Sequence, residues 1–355
     1  MKAYQVLEFG TPIVPRQVPD PVPTGAEVVV DVGACGLCHS DVHFQQGYLG
    51  LGGDQKLPLA ALGVPLPATF GHEIVGWISA FGPDSELKPT DIGRMVIAYP
   101  WLGCGHCPAC RAGRDNECPT PQSIGMQRPG GHGEKVVVRE AKYLVDAAGI
   151  DPTIAGIFAC CGLTAYAALA KVLRRDGWVG IIGMGGVGLM ALSIAKGTGF
   201  GHIASIDIDD AKLRLAREYG ADLIINSRSE NAAARLKRET TDTGLTAVVD
   251  FVGSDQTVNL ALESLSNGGT YVGVGLFGGT LSVPTALLNA RQLTLRGSYV
   301  GNPQELRELV GHVRAGRIRP IPVRTDSIDK INEGLSDLRS GKVVGRIVHL
   351  HRPPV

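Results

Sequence analysis

A glycine-rich turn joins an apolar run to a helical pattern near the middle of this 355-residue chain. The apolar run 178–182 predicts a buried strand, and residues 189–196 have helical spacing. Between them, residues 183–188 read Gly-Met-Gly-Gly-Val-Gly and fit G-x-G-x-x-G. In this motif the glycines permit a tight bend, close approach of backbone to a pyrophosphate, and close packing of helix on strand. The pattern predicts a dinucleotide site formed by Gly183, Gly185, Gly186, Val187 and Gly188.

An acidic residue, Asp207, ends the next predicted strand, 19 residues after Gly188. A carboxylate at this distance binds the ribose hydroxyls of a dinucleotide. Because it would repel a 2′-phosphate and no arginine follows it immediately, NAD is favoured over NADP. Lys212 could reach the same ribose, although a solvated helix lysine accounts for it equally well.

Apolar strands and amphipathic helices alternate from about residue 154 to residue 300, which predicts an α/β fold with a doubly wound parallel sheet. The first third is rich in proline and reads as short strands and loops, with strand candidates at 28–32 and 136–138. The length predicts two domains. After Asn302 the pattern becomes mixed, and the chain end is expected to return to the first domain.

The charge balance argues against some classes of partner. The chain has 34 Lys and Arg against 34 Asp and Glu, with no basic stripe, so neither nucleic acid nor a membrane is expected to bind. The sequence shows no signal peptide and no apolar run long enough to span a bilayer, which predicts a cytoplasmic location. In that compartment the 8 cysteines are expected to be metal ligands or inert thiols.

Half of these cysteines lie in one short loop. The loop contains Cys104, Cys107, Cys110 and Cys118, separated by turn-forming glycine and proline. Four thiolates fill a tetrahedral shell around zinc and leave no open position, so a structural site is predicted. An iron–sulfur centre or a zinc-ribbon interaction module stays open as an alternative. His106 lies within the loop and is expected to be a solvated bystander.

A second candidate metal site draws on separate parts of the chain. Cys38, His72 and Cys160 would leave one coordination position for water or substrate, which is the catalytic arrangement of zinc. Each of these residues, taken alone, is more often structural: a lone buried cysteine is usually inert, and a lone histidine is usually a satisfied polar residue.

The motifs together resemble a known family. G-x-C-H-S-D-x-H at 36–43, G-H-E at 71–73, the four-cysteine loop and G-x-G-G-x-G follow one another as in the zinc-dependent medium-chain alcohol dehydrogenases, and the similarity is greatest to the tetrameric bacterial and archaeal branch. The resemblance implies a GroES-like, mostly-β catalytic domain over residues 1–158, to which 301–355 return, and a Rossmann domain over 159–300. It also implies NAD, two zinc ions per chain and a homo-oligomer, a tetramer or a dimer. A glycine- and valine-rich strand near residues 271–275 is expected to pair between subunits.

The resemblance assigns roles to individual residues. Cys38, His72 and Cys160 become the catalytic zinc ligands, and the four-cysteine loop holds the structural zinc. Asp41 orients the His72 ring, Ser40 takes the substrate proton, and His43 ends the relay to solvent. Glu73 lies near the metal, and His39 lies near the pyrophosphate. Cys160 and Cys161 are adjacent, and only one of them can readily coordinate the zinc ion. The sequence motif of the family selects Cys160. Cys161 is then expected to be a thiol that only packs against its neighbours, and the same is expected of Cys35.

The predicted activity is reversible hydride transfer between NAD and primary or secondary alcohols, giving aldehydes or ketones. A dehydrogenase of an alicyclic or hydroxyacyl-thioester alcohol on the same frame remains open, and so does a non-catalytic, zinc-stabilised nucleotide-binding protein. A polyol dehydrogenase is disfavoured because that group replaces the third cysteine ligand by glutamate. A zinc-free quinone reductase would need neither cysteine site. Trp101 and Leu49 are candidates for the substrate pocket, although Trp101 fits an anchor of the cysteine loop equally well.

Overall fold

The computed structural model describes residues 1–52, 55–228, 231–240 and 243–351. The first part of the chain is mainly short strands. Its strands are β1 (Lys2–Gln5), β2 (Val14–Gln17), β3 (Val28–Leu37), β4 (Tyr48–Gly52), β5 (Gln55–Pro58), β6 (Glu73–Phe81), β7 (Met95–Ala98), β8 (Lys135–Val138) and β9 (Leu144–Asp146). Its helices are α1 (His39–Gln46), α2 (Pro108–Arg111) and α3 (Pro152–Ala155).

The middle of the chain alternates strands with helices, as its apolar pattern predicts. The strands are β10 (Trp178–Ile182), β11 (His202–Asp207), β12 (Leu223–Asn226), β13 (Leu245–Asp250), β14 (Leu265–Gly273) and β15 (Thr294–Gly297). The helices are α4 (Cys161–Ala170), α5 (Gly186–Gly197), α6 (Asp210–Glu218), α7 (Ala232–Glu239), α8 (Asp255–Ser264) and α9 (Thr285–Ala290). Within the described residues the strands pair in the order β12-β11-β10-β13-β14-β15, all parallel. We call this the parallel sheet. Its strand order reverses between β10 and β13, which is where such sheets bind ligands at the carboxyl ends of their strands.

The expected pairing of residues 271–275 between subunits is wrong. Most of this segment belongs to β14, which is hydrogen-bonded to β13 on one side and to β15 on the other. Tyr271 and Val272 are buried. Among the described strands, β15 lies at this edge of the parallel sheet, so a free edge is offered by Thr294–Gly297 instead.

The end of the chain joins both parts. It forms α10 (Pro303–Arg314), β16 (Val323–Ser327), α11 (Ile331–Arg339) and β17 (Arg346–Leu350). Helix α10 packs on α4, whereas β17 runs antiparallel to β3 with His349 opposite Cys35. The resulting N-terminal sheet has the order β16-β17-β3-β6-β7-β9, and β8 also pairs with β3. The boundaries at residues 158 and 300 remain a prediction, and residues 352–355 lie outside the described chain.

One apolar cluster connects the two sheets. It contains Val30 and Ile74 of the N-terminal sheet and Ile181 of the parallel sheet, with Phe158 and Leu163 at the junction. All five side chains are buried. Within the described residues no single helix is both long and apolar enough to cross a membrane, although the bent pair Pro152–Ala159 and Cys161–Ala170 meets those two criteria jointly.

Candidate active site

Cys38 is fixed at the junction between β3 and α1. It is the N-cap residue of α1, and its backbone N–H donates to Asp41 Oδ2 at 2.9 Å. The Asp41 amide donates back to the Cys38 carbonyl at 3.0 Å. This reciprocal cap satisfies two backbone groups and holds the thiol in place.

His72 and Cys160 approach Cys38 from two other elements. His72 immediately precedes β6, and Gly71 before it has a φ of +91°, which favours glycine. Cys160 lies between the 3₁₀ turn Gly156–Ala159 and α4. The sulfur atoms of Cys38 and Cys160 and a ring nitrogen of His72 lie within 4.8 Å of one another. Cys161 is not in this group; its amide donates instead to Glu73 Oε1 at 3.1 Å.

The three side chains fit a divalent metal ion. All are buried, and among the described residues neither ring nitrogen of His72 has a hydrogen-bond partner. A hydrogen bond from the Cys160 thiol lowers the pKa of Cys38 well below its ordinary range, and the same bond raises the pKa of Cys160 well above it. A metal ion bound by both sulfurs would replace the thiol proton. Two thiolates and one imidazole are a donor set that zinc accepts with one position left open.

Asp41 lies behind the His72 ring. Its Oδ1 atom is 3.5 Å from His72 Nδ1, and both side chains are 1% exposed. A carboxylate on this side fixes the ring orientation and leaves Nε2 toward the sulfurs. One acidic residue therefore caps α1 and orients a candidate ligand.

A buried ion pair supports the same cluster. Arg346 Nη2 donates to Glu73 Oε1 at 2.6 Å and lies 3.9 Å from the sulfur of Cys38. Burial raises the pKa of Glu73 to about 7 against the opposing effect of Arg346. Glu73 occupies the space beside Gly36, where an added Cβ would overlap its Oε2. The Glu73 carboxylate thus lies close to the cluster without belonging to it.

The predicted relay residues follow one another along α1. The Cys38 sulfur is 3.7 Å from the hydroxyl of Ser40, which is half-buried. The His43 ring lies 5.4 Å from the His39 ring and 6.3 Å from the Tyr48 ring, between centroids. Burial lowers the pKa of His43, and His39 adds to the effect. His39 contacts Phe277 at 5.7 Å between ring centroids.

The two candidate pocket residues differ in their surroundings. The Trp101 ring is buried and lies 5.4 Å from the His72 ring and 5.9 Å from the Tyr299 ring, between centroids. Leu49 on β4 is half-buried and packs against the apolar cluster that contains Val42 and Phe44. Trp101 therefore forms part of the wall around the metal-ligand cluster.

The glycine motif has the predicted geometry. Gly183 has a φ of +89°, and Gly185 is the N-cap residue of α5. A Cβ at Gly188 would overlap the carbonyl oxygen of Gly183, whereas a Cβ at Gly185 would meet no protein atom within 4 Å. Gly186 and Val187 begin the helix and are half-buried. The backbone is thus close-packed on one side and open on the other, where a pyrophosphate could approach.

Asp207 lies at the end of β11 beside this turn. Its Oδ2 accepts from the Met184 amide at 2.6 Å, and its Oδ1 accepts from the amides of Ile208 and Asp209 at 2.7 and 3.0 Å. The carboxylate is held next to the glycine motif, as expected for a ribose-binding acid. Lys212 is half-buried on α6.

The four cysteines of the loop also converge. Their sulfur atoms lie within 4.8 Å of one another. Backbone amides donate to three of the sulfurs, those of Cys104, Cys107 and Cys118. Hydrogen bonds from the amides of His106 and Cys107 lower the pKa of Cys104 to about 6, which favours a thiolate. The exposed ring of His106 contacts the Cys104 carbonyl at 3.1 Å, so it does not point at the sulfurs.

The glycine motif and the cluster of Cys38, His72 and Cys160 are connected by the first residue of the last strand. A Cβ added to Gly186 would lie 2.7 Å from the Gly345 carbonyl oxygen and 3.1 Å from Cδ of Arg346. Because the Arg346 guanidinium reaches Cys38 and Glu73, this one side chain spans from the glycine motif to the metal-ligand cluster.

Sequence reasoning missed Arg346 and Asp250. Arg346 is a buried cation at the start of the strand 346–350, which is apolar apart from His349, and this charge was the available signal. Asp250 is fully buried at the end of β13 and accepts from the amides of Val252 and Gly253 at 2.8 and 3.0 Å. An acid that ends an apolar run was the available signal there.

The comparisons with known proteins match both halves of the chain. A family model described as alcohol dehydrogenase GroES-like domain matches residues 24–148, and one described as zinc-binding dehydrogenase matches residues 186–315. An NAD-dependent alcohol dehydrogenase of Sulfurisphaera tokodaii is 34% identical, over 98% of this chain and 99% of the relative. One of Saccharolobus solfataricus is 33% identical over the same shares.

A solved structure gives the same result. The alcohol dehydrogenase of Aeropyrum pernix superposes with a TM-score of 0.88 at 31% identity, and the match covers 99% of this chain and 100% of that one. The predicted fold class, a GroES-like domain with a Rossmann-type parallel sheet, is thereby confirmed. From full-length similarity above 30% and both family matches, the chain belongs to the zinc-type medium-chain alcohol dehydrogenases.

Proposed function

We propose that this protein oxidises primary and secondary alcohols with NAD, reversibly, at the cluster of Cys38, His72 and Cys160. The observation that carries the proposal is the convergence of two sulfurs and one imidazole within 4.8 Å, beside an arginine that reaches to the glycine motif. The relatives named as NAD-dependent alcohol dehydrogenases support the reaction type. A non-catalytic nucleotide-binding role is not favoured by them.

Cys38, His72 and Cys160 would hold zinc, which supplies a Lewis acid that lowers the pKa of the alcohol. Asp41 orients the His72 ring and fixes its tautomer. Glu73 and Arg346 form a buried pair whose charges offset one another next to the ligands. These residues hold the two sulfurs and the imidazole in place, so that the three ligands need little rearrangement to bind zinc.

A proton must leave the alcohol before hydride transfer. Ser40 is the group we assign to accept it, because its hydroxyl lies next to Cys38 on the same turn of α1. His43 follows three residues later on the same helix face and can pass the proton toward solvent, since the ring is only half-buried. His43 Nδ1 is buried and has no hydrogen-bond partner in the part of the chain that the structure describes, so this nitrogen of the neutral ring is unused there.

NAD is assigned to the glycine motif and Asp207. The amides at the start of α5 face open space beside Gly185 and suit a pyrophosphate, and the Asp207 carboxylate suits the ribose hydroxyls. Lys212 and His39 remain proposed cofactor contacts. His39 would be a weak one, because burial lowers its pKa and favours the uncharged ring.

The four-cysteine loop would hold a second, structural zinc. Its backbone N–H to sulfur hydrogen bonds stabilise thiolates, and four sulfurs leave no position for substrate. The loop is anchored through Asp115, which accepts from the Tyr143 hydroxyl at 2.6 Å. The proposed content is therefore two zinc ions per chain.

Substrate and assembly are proposed in coarser terms. Trp101 and Tyr299 give the cluster an aromatic wall, which suits bulky or secondary alcohols. The free edge at β15 suits a homo-oligomer, for which dimer and tetramer both remain predictions. A cytoplasmic location is also a prediction; all eight cysteines are free thiols here.

Metal analysis combined with NADH absorbance tests the proposal. The purified protein should contain two zinc ions per chain and reduce NAD on addition of primary or secondary alcohols. Cys160→Ser should retain one zinc and lose alcohol oxidation to background, because the catalytic site then lacks a ligand.

Cys161→Ser is the matched control, since it removes the adjacent sulfur from outside the cluster. It should keep both zinc ions and most of the activity. If the two variants exchange these phenotypes, Cys161 is the ligand. If the wild-type protein holds only one zinc and reduces no NAD with any alcohol, the proposed function is wrong.

A further inference from the structure

A cavity lies away from the candidate active site, among α4, α5 and α10. Its volume is about 310 Å³, near the lower end of the range of roughly 300–1,000 Å³ for small-molecule sites. Its lining includes Leu169 from α4 and Ile194 from α5, so part of the floor is apolar. No residue proposed for catalysis or for NAD binding lines it.

Two arginines give this cavity a positive charge. Arg175 and Arg317 both line it, and within the described part of the chain neither forms an ion pair with a carboxylate. The Arg175 guanidinium lies 5.1 Å from the centre of the Phe200 ring, which holds it against the wall. Arg317 Nη1 lies 3.2 Å from Nδ1 of His312.

His312 is an additional donor. An arginine N–H can only donate, so Nδ1 of His312 accepts and Nε2 carries the ring proton. Tyr166 shares the wall, with its ring 6.0 Å from that of His312 between centroids. Glu308, a carboxylate beside Tyr166, accepts from Tyr166 at 3.1 Å and from Gln304 at 3.1 Å, so it is already engaged.

We propose that this cavity binds a small phosphorylated metabolite. The guanidinium groups of Arg175 and Arg317 would hold the phosphoryl oxygens, and the floor at Leu169 and Phe200 would hold the organic part. A phosphoryl dianion matches two unpaired guanidinium charges and offers three oxygens to their forks. A carboxylate carries half that charge and has fewer acceptor positions.

The position connects this site to the active site. Helix α4 begins directly after Cys160, and α5 begins at the glycine motif. The cavity is lined by later residues of both helices, such as Ala170 and Gly197. A ligand here therefore contacts the far ends of the helices whose first residues border the metal-ligand cluster and the dinucleotide site.

Calorimetric titration of the zinc-loaded protein with phenyl phosphate tests the proposal. Saturating NAD is present throughout, so that the pyrophosphate site is occupied, and ionic strength is held constant. One phenyl phosphate should bind per chain. Arg175→Gln and Arg317→Gln should each weaken binding about tenfold, the loss expected for a charged hydrogen bond. Both side chains are exposed, so neither change disturbs the core.

Arg16→Gln is the matched control, because Arg16 is an exposed arginine on β2, in another part of the fold. It should bind phenyl phosphate as the wild type does, and benzoate should bind the wild type more weakly. Absence of binding with NAD present, equal binding of benzoate, or unchanged affinity in both cavity variants would each overturn the proposal. The readout is binding alone, so it does not depend on alcohol oxidation.

Discussion

At the scale of single residues, the candidate metal centre depends on side chains with two tasks. Asp41 caps α1 and faces His72, and Glu73 accepts from both Cys161 and Arg346. A change at either position alters a backbone hydrogen bond together with a charge. Partners of this kind typically change metal affinity about 10- to 100-fold when removed.

His43 should set the acid limb of the pH–rate profile. Burial and the neighbouring His39 lower its pKa from the ordinary value of a histidine. Since only the neutral ring accepts a proton, kcat/KM for alcohol oxidation should fall as pH drops through that pKa. His43→Ala should lower kcat/KM about 100-fold and abolish this limb. An unchanged pH profile in the variant would remove His43 from the relay.

Asp207 should determine the preference between NAD and NADP. Asp207→Asn keeps the shape of the side chain but removes the charge and one of the two oxygens that accept from backbone amides, so the KM for NAD should rise about tenfold or more and NADP should be discriminated less. Steady-state kinetics with both cofactors provide the measurement. Asp209→Ser is the control, because serine preserves the cap of α6 while an equal charge two residues away is lost. Equal effects of the two changes would mean that Asp207 acts only through overall charge.

The residues that sequence reasoning identified share a local signature. Cys38, His72 and the glycines lie in short motifs whose order along the chain is itself informative. Cys160 was chosen over Cys161 only through a family frame, since adjacent cysteines look alike until the backbone turn is known. Arg346 could not be assigned because its partners Cys38 and Glu73 are brought to it by pairing between β17 and β3, across almost the whole chain.

At the scale of elements, the turn before α5 should respond differently to two alanine substitutions. Gly188→Ala places a methyl group against the Gly183 carbonyl, and overpacking of this kind costs about 1–3 kcal/mol. Gly185→Ala meets no protein atom within 4 Å. Thermal unfolding should therefore show a lower Tm for the first variant only.

The same pair should separate folding from cofactor binding. Gly185→Ala should raise the Kd for NAD while its Tm stays at the wild-type value, because the added methyl occupies the space assigned to the pyrophosphate. If NAD binds this variant with unchanged affinity, the pyrophosphate does not approach the turn there.

The positions of the strands along the chain were predicted well, because an apolar run is a local feature of the sequence. The neighbours of each strand in the sheet were not predicted. The runs at 178–182 and 136–138 coincide with β10 and β8 to within a residue. The segment 271–275 was expected at a subunit contact, yet β14 lies between two strands. Which strand lies at an edge of the sheet depends on the spatial order of all its strands. The apolar pattern of one strand does not determine this order.

At the scale of the whole molecule, the edge at β15 should mediate self-association. Leu281 and Leu287 are 43% and 44% exposed in the segment that leads from β14 to β15, and exposed apolar side chains of this kind are available to an interface. Light scattering after size exclusion should give a mass above one chain, and Leu287→Glu should reduce it. Val22→Glu is the control, since Val22 is 81% exposed but lies between β2 and β3. A monomeric wild type, or equal effects of the two changes, would contradict this assignment.

The return of β17 to β3 has a consequence for biosynthesis. The end of β3 from residue 34 to residue 37 precedes its hydrogen-bonding neighbour by more than 300 residues, so during translation this edge has no partner until nearly the entire polypeptide has emerged. An unpaired, apolar edge is prone to join strands of other nascent chains. Ribosome-bound intermediates that lack the last strand therefore carry Cys38 beside an open edge. They also lack Arg346, the arginine that connects the glycine motif to the metal-ligand cluster.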